Sequence, residues 1–301
     1  MKKIALLMMA FALSFAWGNP AAKDMMEAEY QYAACNVQFA KDYIGLREEC
    51  GRVHETRVFD FSNRLGMIED ALEDAQEGAE QGNRLEYGTS VFRLNANMAG
   101  LVLEVIGDAL TNKSHAYRNC VQNDVDGLKD ELELCRAGAF ESGKVAAHLY
   151  LANDVAHGDA KVAGLNAMGA DTMDMEKVLL LAEGLDGDID AAYDSNQVSE
   201  VSKLYRKHSR LVLLFRLEHM MAVMGYAEPI IDAGGNSNKE ELLEEIASLR
   251  GNTERLIDEC EYSATVDSGY GAKNNRCWAN GISLMQRFNA LRTLYWAGEM
   301  R

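Results

Sequence analysis

Histidine is the side chain best suited to hold a metal or move a proton near neutral pH, and the chain has six. A di-iron site in a helical bundle uses Glu-x-x-His on two helices, because that spacing puts both ligands on one helix face. The chain contains no Glu-x-x-His, and Asp154-x-x-His157 is the nearest approach. We therefore predict no bound metal, haem or other cofactor.

Two histidines share an apolar stripe and form the one weak candidate for a ligand site. His208 and His219 lie on this stripe with Phe215 between them. Their separation along a helix is about 16 Å, which is too far for both to bind one metal ion. Buried histidines in a packed seam are the favoured interpretation. A seam of His208, Phe215 and His219 that holds an apolar or metal-containing ligand is the alternative.

Motifs for covalent catalysis and phosphate binding are absent from the sequence. There is no Gly-x-Ser-x-Gly, no glycine-rich phosphate loop and no His-Glu-x-x-His. The many carboxylates, such as Glu69, Asp70 and Glu73, have the spacing of a solvated helix face. The sequence therefore predicts a protein that is not an enzyme.

The first residues have the pattern of a secretory signal peptide. Met1-Lys2-Lys3 is followed by an apolar run and then by small residues. Residues 1–18 form the predicted signal peptide, with cleavage after Gly18, and a cut after Ala21 or Ala22 is the alternative. The expected location is the periplasm or the extracellular space, with no membrane span left after cleavage.

Six cysteines in an oxidising compartment predict disulfides, and no Cys-x-x-Cys pair suggests zinc or covalent haem. Cys35 and Cys50 are fifteen residues apart, as are Cys120 and Cys135, and fifteen residues of helix cover about 22 Å. A disulfide needs Cα atoms within about 7 Å, so neither pair can bond to itself if its segment is helical. Two helices with equal cysteine spacing can be joined twice, in parallel or antiparallel order. A turn at Gly82-Asn83 favours the antiparallel order. The predicted pairs are Cys35–Cys135, Cys50–Cys120 and Cys260–Cys277.

The net charge of −17, from 30 basic and 47 acidic residues, argues against nucleic acid as a partner. Asn112-Lys113-Ser114 is a glycosylation sequon. Tyr32-x-x-Cys35 with Cys50 recurs as Tyr117-x-x-Cys120 with Cys135, and a duplicated hairpin and coincidence explain this equally well.

The elements that position these residues are helices. Proline occurs only twice, and apolar residues recur at spacings of three and four in three long runs, starting at Phe61, Tyr87 and Val198. This pattern predicts an all-α fold of about eight helices, arranged as antiparallel hairpins in a disulfide-stapled, elongated, coiled-coil-like bundle.

Glycine, asparagine and proline clusters divide this helical chain into segments. After the signal peptide we expect a disulfide-stapled helical hairpin over 19–142, a helical bundle segment over 143–228, a linker over 229–238 and a C-terminal hairpin over 239–301.

The sequence favours a secreted, non-enzymatic helical scaffold or protein-interaction protein of the cell envelope. Its expected partner is another envelope protein, and an oligomer is possible. The alternative is an extracytoplasmic carrier that holds an apolar or metal-containing ligand between bundle helices.

Overall fold

The computed structural model describes residues 21–112, 114–265 and 272–299. Within these ranges the chain forms nine α-helices and no strand. The helices are α1 (Ala22–Val53), α2 (Ser62–Glu80), α3 (Arg84–Thr111), α4 (His115–Met168), α5 (Met173–Glu183), α6 (Leu185–Asp194), α7 (Val198–Ala233), α8 (Lys239–Thr265) and α9 (Ala272–Glu299). The predicted signal peptide and the predicted turn at 268–271 lie outside the described residues.

The all-α, disulfide-stapled class predicted from the sequence is confirmed, and the helices end close to the predicted breaks. Gly82 lies between α2 and α3 with φ +67°, and Gly169 lies between α4 and α5 with φ +87°. Only glycine adopts this left-handed conformation without a steric cost, so both glycines allow the chain to leave a helix abruptly. None of the described helices combines the length and the apolar character needed to cross a membrane.

The chain divides into two compact units. The first unit comprises Pro20–Tyr150 with Tyr193–Asn196, and the second contains Leu151–Ala192 and Gln197–Arg301. This division lies at 150/151 rather than at the predicted boundary of 142/143, and α4 continues through both points without a break. The helix contains no proline, and its buried residues Ala146, Ala147 and Leu151 continue the apolar pattern past the expected boundary.

The first unit is built on the contacts of α2 with α3 and of α1 with α2. Its core consists of the inward faces of these helices and of Phe61, which precedes α2: Val37, Ala40, Ile44, Phe61, Ile68, Ala71, Leu94 and Leu101. Ile68, Leu94 and Leu101 belong to the stripes that predicted the helices. The spacing of three and four therefore identified the buried face correctly.

Two disulfides join α1 to α4 in the first unit, and they are the pairs that the sequence predicts. Cys35 bonds to Cys135 and Cys50 to Cys120, with Cα–Cα distances of 5.8 and 5.9 Å. Cys35 precedes Cys50 in α1, whereas its partner Cys135 follows Cys120 in α4. The two helices therefore run antiparallel. The third predicted pair, Cys260–Cys277, joins α8 to α9 in the second unit.

The second unit is centred on α7, which contacts α5, α8 and α9. Residues on several faces of α7 are buried because it has neighbours on several sides, among them Leu213, Phe215, Leu217, Met220 and Met224. Met220 and Met224 therefore fill the core.

The predicted linker over 229–238 is shorter in the structure, where α7 includes Pro229 and ends at Ala233. Proline removes one backbone hydrogen bond from a helix. The buried side chains of Ala227 and Ile231 lie on either side of Pro229 and keep this last part of α7 packed against the core. Helical packing therefore overrides the local signal of proline.

Close packing between α2 and α3 gives a stability prediction. A Cβ atom added to Gly78 would lie 2.7 Å from the backbone nitrogen of Tyr87, whereas one added to Gly66 would meet nothing within 4 Å. We expect Gly78→Ala to lower the free energy of unfolding by about 1–3 kcal/mol, because the backbones of α2 and α3 must move apart to make room for the methyl group. Gly66→Ala on the same helix should raise it by up to about 1 kcal/mol. Urea titration of both variants tests this, and equal effects would contradict it.

Candidate functional site

Helix α3 carries apolar residues on two opposite faces, and only one face is used inside the first unit. The inner face supplies Leu94 and Leu101 to the core. A second set of residues repeats at spacings of four and three along the whole helix and is exposed at every position. We call this set the outer stripe; it consists of Leu85, Thr89, Phe92, Ala96, Ala99, Leu103, Ile106 and Leu110.

The large members of the outer stripe are at least half exposed to solvent, with Ile106 the least exposed at 50%. Leu85, Phe92, Leu103 and Leu110 are between 70% and 82% exposed. The hydroxyl of Thr89 donates a 2.8 Å hydrogen bond to the carbonyl of Leu85, so its polar group is turned back onto the helix. Single exposed apolar residues are common, but a continuous apolar row marks an interaction surface.

The flanks of the outer stripe are small and carry little charge. On one side lie Glu86, Arg93, Gly100 and Gly107, and on the other lie Gly88, Asn95, Val102 and Ala109. Arg93 is already paired with Asp74 of α2 at 2.7 Å. Small flanking residues permit close approach of another helix, and the near absence of acidic groups is unusual in a chain of this net charge.

The sequence-predicted ligand seam lies in the second unit, where His219 and Phe215 are buried in the core. His208 lies nearer the start of α7, with its Nε2 3.2 Å from Oδ2 of Asp154 on α4. His157, three residues after Asp154, is close enough to lower the pKa of His219. The structure therefore places Asp154-x-x-His157 opposite the histidine stripe, a juxtaposition that spacing alone did not reveal.

The environment of His219 is strongly unfavourable to a positive charge. Burial, together with the nearby Lys161 and His157, lowers the pKa of His219 to about 3. Burial and the charge of Arg216 lower the pKa of Lys161 to about 8. Nε2 of His219 has no hydrogen-bond partner among the residues that the structure describes. His219 is therefore a neutral imidazole within a basic, buried cluster.

A cluster of three potential metal-ligand residues occurs among the described residues at Cys50, Cys120 and Asp124. Because the two sulfur atoms are bonded to each other, they provide no thiolate for a metal ion. The sequon residue Asn112 is buried at the end of α3, and its Oδ1 accepts a hydrogen bond from the backbone N–H of Ser114. Glycosylation of Asn112 in the folded protein would require this end of the helix to open.

The chain matches no family model, and comparison with curated proteins and with solved structures finds no match. The surfaces of the molecule itself are therefore the basis for inferring its function. Among these, the outer stripe of α3 is a regular apolar row that extends along the helix, and it was not predicted from the sequence. The signal was present as a second spacing of three and four, offset from the core stripe by about half a turn.

Proposed function

We propose that this protein is a secreted, non-enzymatic helical interaction protein that self-associates through α3. The observation that supports the proposal is the exposed outer stripe, which has the spacing of a two-stranded coiled coil. The occupant that we propose for this surface is α3 of a second copy. A predicted signal peptide and the three disulfides support action outside the cytoplasm, in the periplasm or beyond the cell.

An antiparallel pair of α3 helices, related by a two-fold axis between Asn97 and Met98, matches the outer stripe to itself. Leu85 then faces Leu110 of the second copy, Phe92 faces Leu103, and Ala96 faces Ala99. Large residues meet large ones near both ends, and small residues meet at the axis, where the two helices approach most closely. Such self-complementarity is what a two-fold interface requires. The contact would extend about 38 Å along the helix.

The charges on the flanks also suit this pairing. In the antiparallel arrangement, Glu86 faces Gly107 of the second copy and Arg93 faces Gly100. No flanking pair places two like charges together, even though each copy has a net charge of −17. The antiparallel order also opposes the two helix dipoles favourably.

Substitution within the outer stripe tests the proposal. We expect the wild-type protein to be a dimer, and Phe92→Glu and Leu103→Lys each to be monomeric, because each places a charge opposite an apolar side chain. Sedimentation equilibrium at micromolar concentrations measures the change, which should weaken association by at least tenfold. Leu134→Glu, a substitution of an equally exposed leucine on α4, is the matched control and should remain dimeric.

Mixing the two monomeric variants separates the antiparallel arrangement from the parallel one. In an antiparallel dimer, the carboxylate introduced at position 92 of one copy faces the ammonium introduced at position 103 of the other. The Phe92→Glu and Leu103→Lys variants should therefore form a mixed dimer. In a parallel dimer, position 92 of one copy faces position 92 of the other, and mixing the two variants would not restore dimerisation. A monomeric wild-type protein would overturn self-association, and loss of an envelope protein from pull-downs with Phe92→Glu would then identify a different partner.

A further inference from the structure

The first unit contains a cavity that is lined by α1, α4 and Ala109 of α3, and no residue of the outer stripe itself or of the histidine stripe lines it. Its volume is about 460 Å³, within the range of small-molecule sites. The two disulfides, Cys35–Cys135 and Cys50–Cys120, join the same two helices on either side of the cavity along α1. The two long walls of the cavity are therefore held together covalently.

The walls of this cavity are mainly apolar and aromatic. Phe39 and Tyr43 contribute from α1, with nearly parallel rings whose centroids are 6.1 Å apart. Tyr117, Val121 and Val125 contribute from α4, where spacings of four place them on one helix face. Burial raises the pKa of the Tyr117 phenol, so its hydroxyl stays neutral. These walls suit a flat or branched apolar body.

A buried arginine forms the inner part of the cavity. The Arg47 side chain is 2% exposed, pairs with Asp108 through Nη2, and lies over the rings of Tyr43, Phe61 and Tyr117 at 5.7 to 6.0 Å. Its Nε–H makes no hydrogen bond to any residue that the structure describes. A buried N–H without an acceptor is costly, and an acceptor atom of a ligand would relieve this cost.

Two further basic residues lie on the α4 side of the cavity, and their charges are not equally balanced. Lys129 is paired with Asp126 at 2.7 Å. Arg118 donates from both Nε and Nη2 to the backbone carbonyl of Asn112, at 3.0 and 2.5 Å, and forms no ion pair with any described residue. Asp108 is paired with Arg47 and Asp126 with Lys129, so Arg118 is the basic residue of this lining that has no ion pair with any described residue.

We infer that this cavity binds a small apolar anion, with a carboxylate or sulfonate group at Arg118 and an aromatic or branched apolar body between α1 and α4. The unsatisfied Nε–H of Arg47 and the N–H groups of Arg118 that are not bonded to Asn112 supply the donors, and the aromatic rings supply the apolar contact. This site goes beyond self-association, and it differs in place from the seam of His208, Phe215 and His219 that the sequence suggested.

A pair of fluorescent probes with one aromatic body tests the inference. We expect 8-anilino-1-naphthalenesulfonate to bind one site per chain at least tenfold more tightly than the neutral N-phenyl-1-naphthylamine. Arg118→Gln should weaken binding of the sulfonate about tenfold, so that the affinities of the two probes become similar. Val121→Trp, which fills the cavity, should abolish binding of both, with circular dichroism confirming that the variant remains helical.

Two controls keep this result separate from the outer stripe and from general surface charge. Arg52→Gln removes an exposed arginine of α1 whose side chain is 79% exposed, and it should leave sulfonate binding unchanged. Phe92→Glu disrupts the outer stripe and should also leave it unchanged. The inference is overturned if both probes bind equally, if Arg118→Gln has no effect, or if Phe92→Glu removes the sulfonate site.

Discussion

Removal of both disulfides between α1 and α4 is expected to unfold the first unit or bring it close to unfolding. The bridge Cys35–Cys135 joins residues that are 100 positions apart in the sequence. Cys50–Cys120 lies inside this loop and joins residues that are 70 positions apart. Once one bridge is closed, the other closes an additional loop of only about 30 residues. In the loop-entropy model the first closure stabilises by about 4.7 kcal/mol and the second by about 3.6 kcal/mol.

Two double variants and their combination measure this effect. Cys35→Ala with Cys135→Ala, and Cys50→Ala with Cys120→Ala, should each lower the free energy of unfolding by roughly 3–4 kcal/mol, because in each the other bridge remains. The quadruple variant should lose about 8 kcal/mol, which is comparable to the whole stability of many domains. Hydrogen exchange of α1 peptides reports the stability of this unit.

The third bridge provides the matched control for the disulfide experiment. Cys260–Cys277 lies in the second unit and has a sequence separation of 17. Its removal should raise exchange in α8 and α9 and leave exchange in α1 unchanged. Loss of protection in α1 from this variant would show that the two units do not unfold independently. Equal stability of the quadruple variant and the wild-type protein would contradict the nested-loop argument.

The helices and the disulfide pairing could be predicted from the sequence because both depend on local spacing. The stripe containing Leu94 and Leu101 identifies a buried helix face, and equal spacing of cysteines on two helices restricts their pairing. Pro229 led to the prediction of a linker from residue 229, whereas α7 continues to Ala233. The lost hydrogen bond at Pro229 is a local cost, and the burial of Ile231 against neighbouring helices, which the sequence does not show, outweighs it.

The candidate sites were less predictable because they depend on which side of each helix has a neighbour. The outer stripe of α3 has the same spacing as the inner one, and only the fold shows that Phe92 is exposed while Leu94 is buried. Arg47 is one charged residue among many in the sequence. Its importance appears only when Phe61 and Tyr117, from distant positions, are brought around its guanidinium.

The second unit should lose stability as the pH falls, and His219 should be responsible for a measurable share of the loss. The folded pKa of His219 is lowered to about 3, whereas an unfolded histidine has a pKa of about 6.5. The unfolded chain therefore takes up a proton at His219 before the folded chain does. The contribution of this group is fully present above pH 6.5 and is lost progressively as the pH falls towards 3.

Between pH 7 and pH 5, this difference in proton uptake corresponds to a loss of about 2 kcal/mol in the free energy of unfolding. We expect His219→Leu to remove that part of the pH dependence, because leucine keeps the apolar packing and does not titrate. Urea titrations at the two pH values, with hydrogen exchange of α7 peptides to identify the second unit, measure the change.

A matched histidine in the first unit distinguishes this effect from a general response to acid. His54 follows the end of α1 and is exposed, so His54→Gln should retain the pH dependence of the wild-type protein. Lys161 and His157 face His219 from α4, and their positive charges add to the cost of protonating it. Lys161→Met should nevertheless change the loss between pH 7 and pH 5 only slightly, because burial is the largest cause of the lowered pKa and keeps the folded imidazole neutral at pH 5. An unchanged pH dependence in His219→Leu would show that the imidazole reaches solvent and takes up its proton in the folded state.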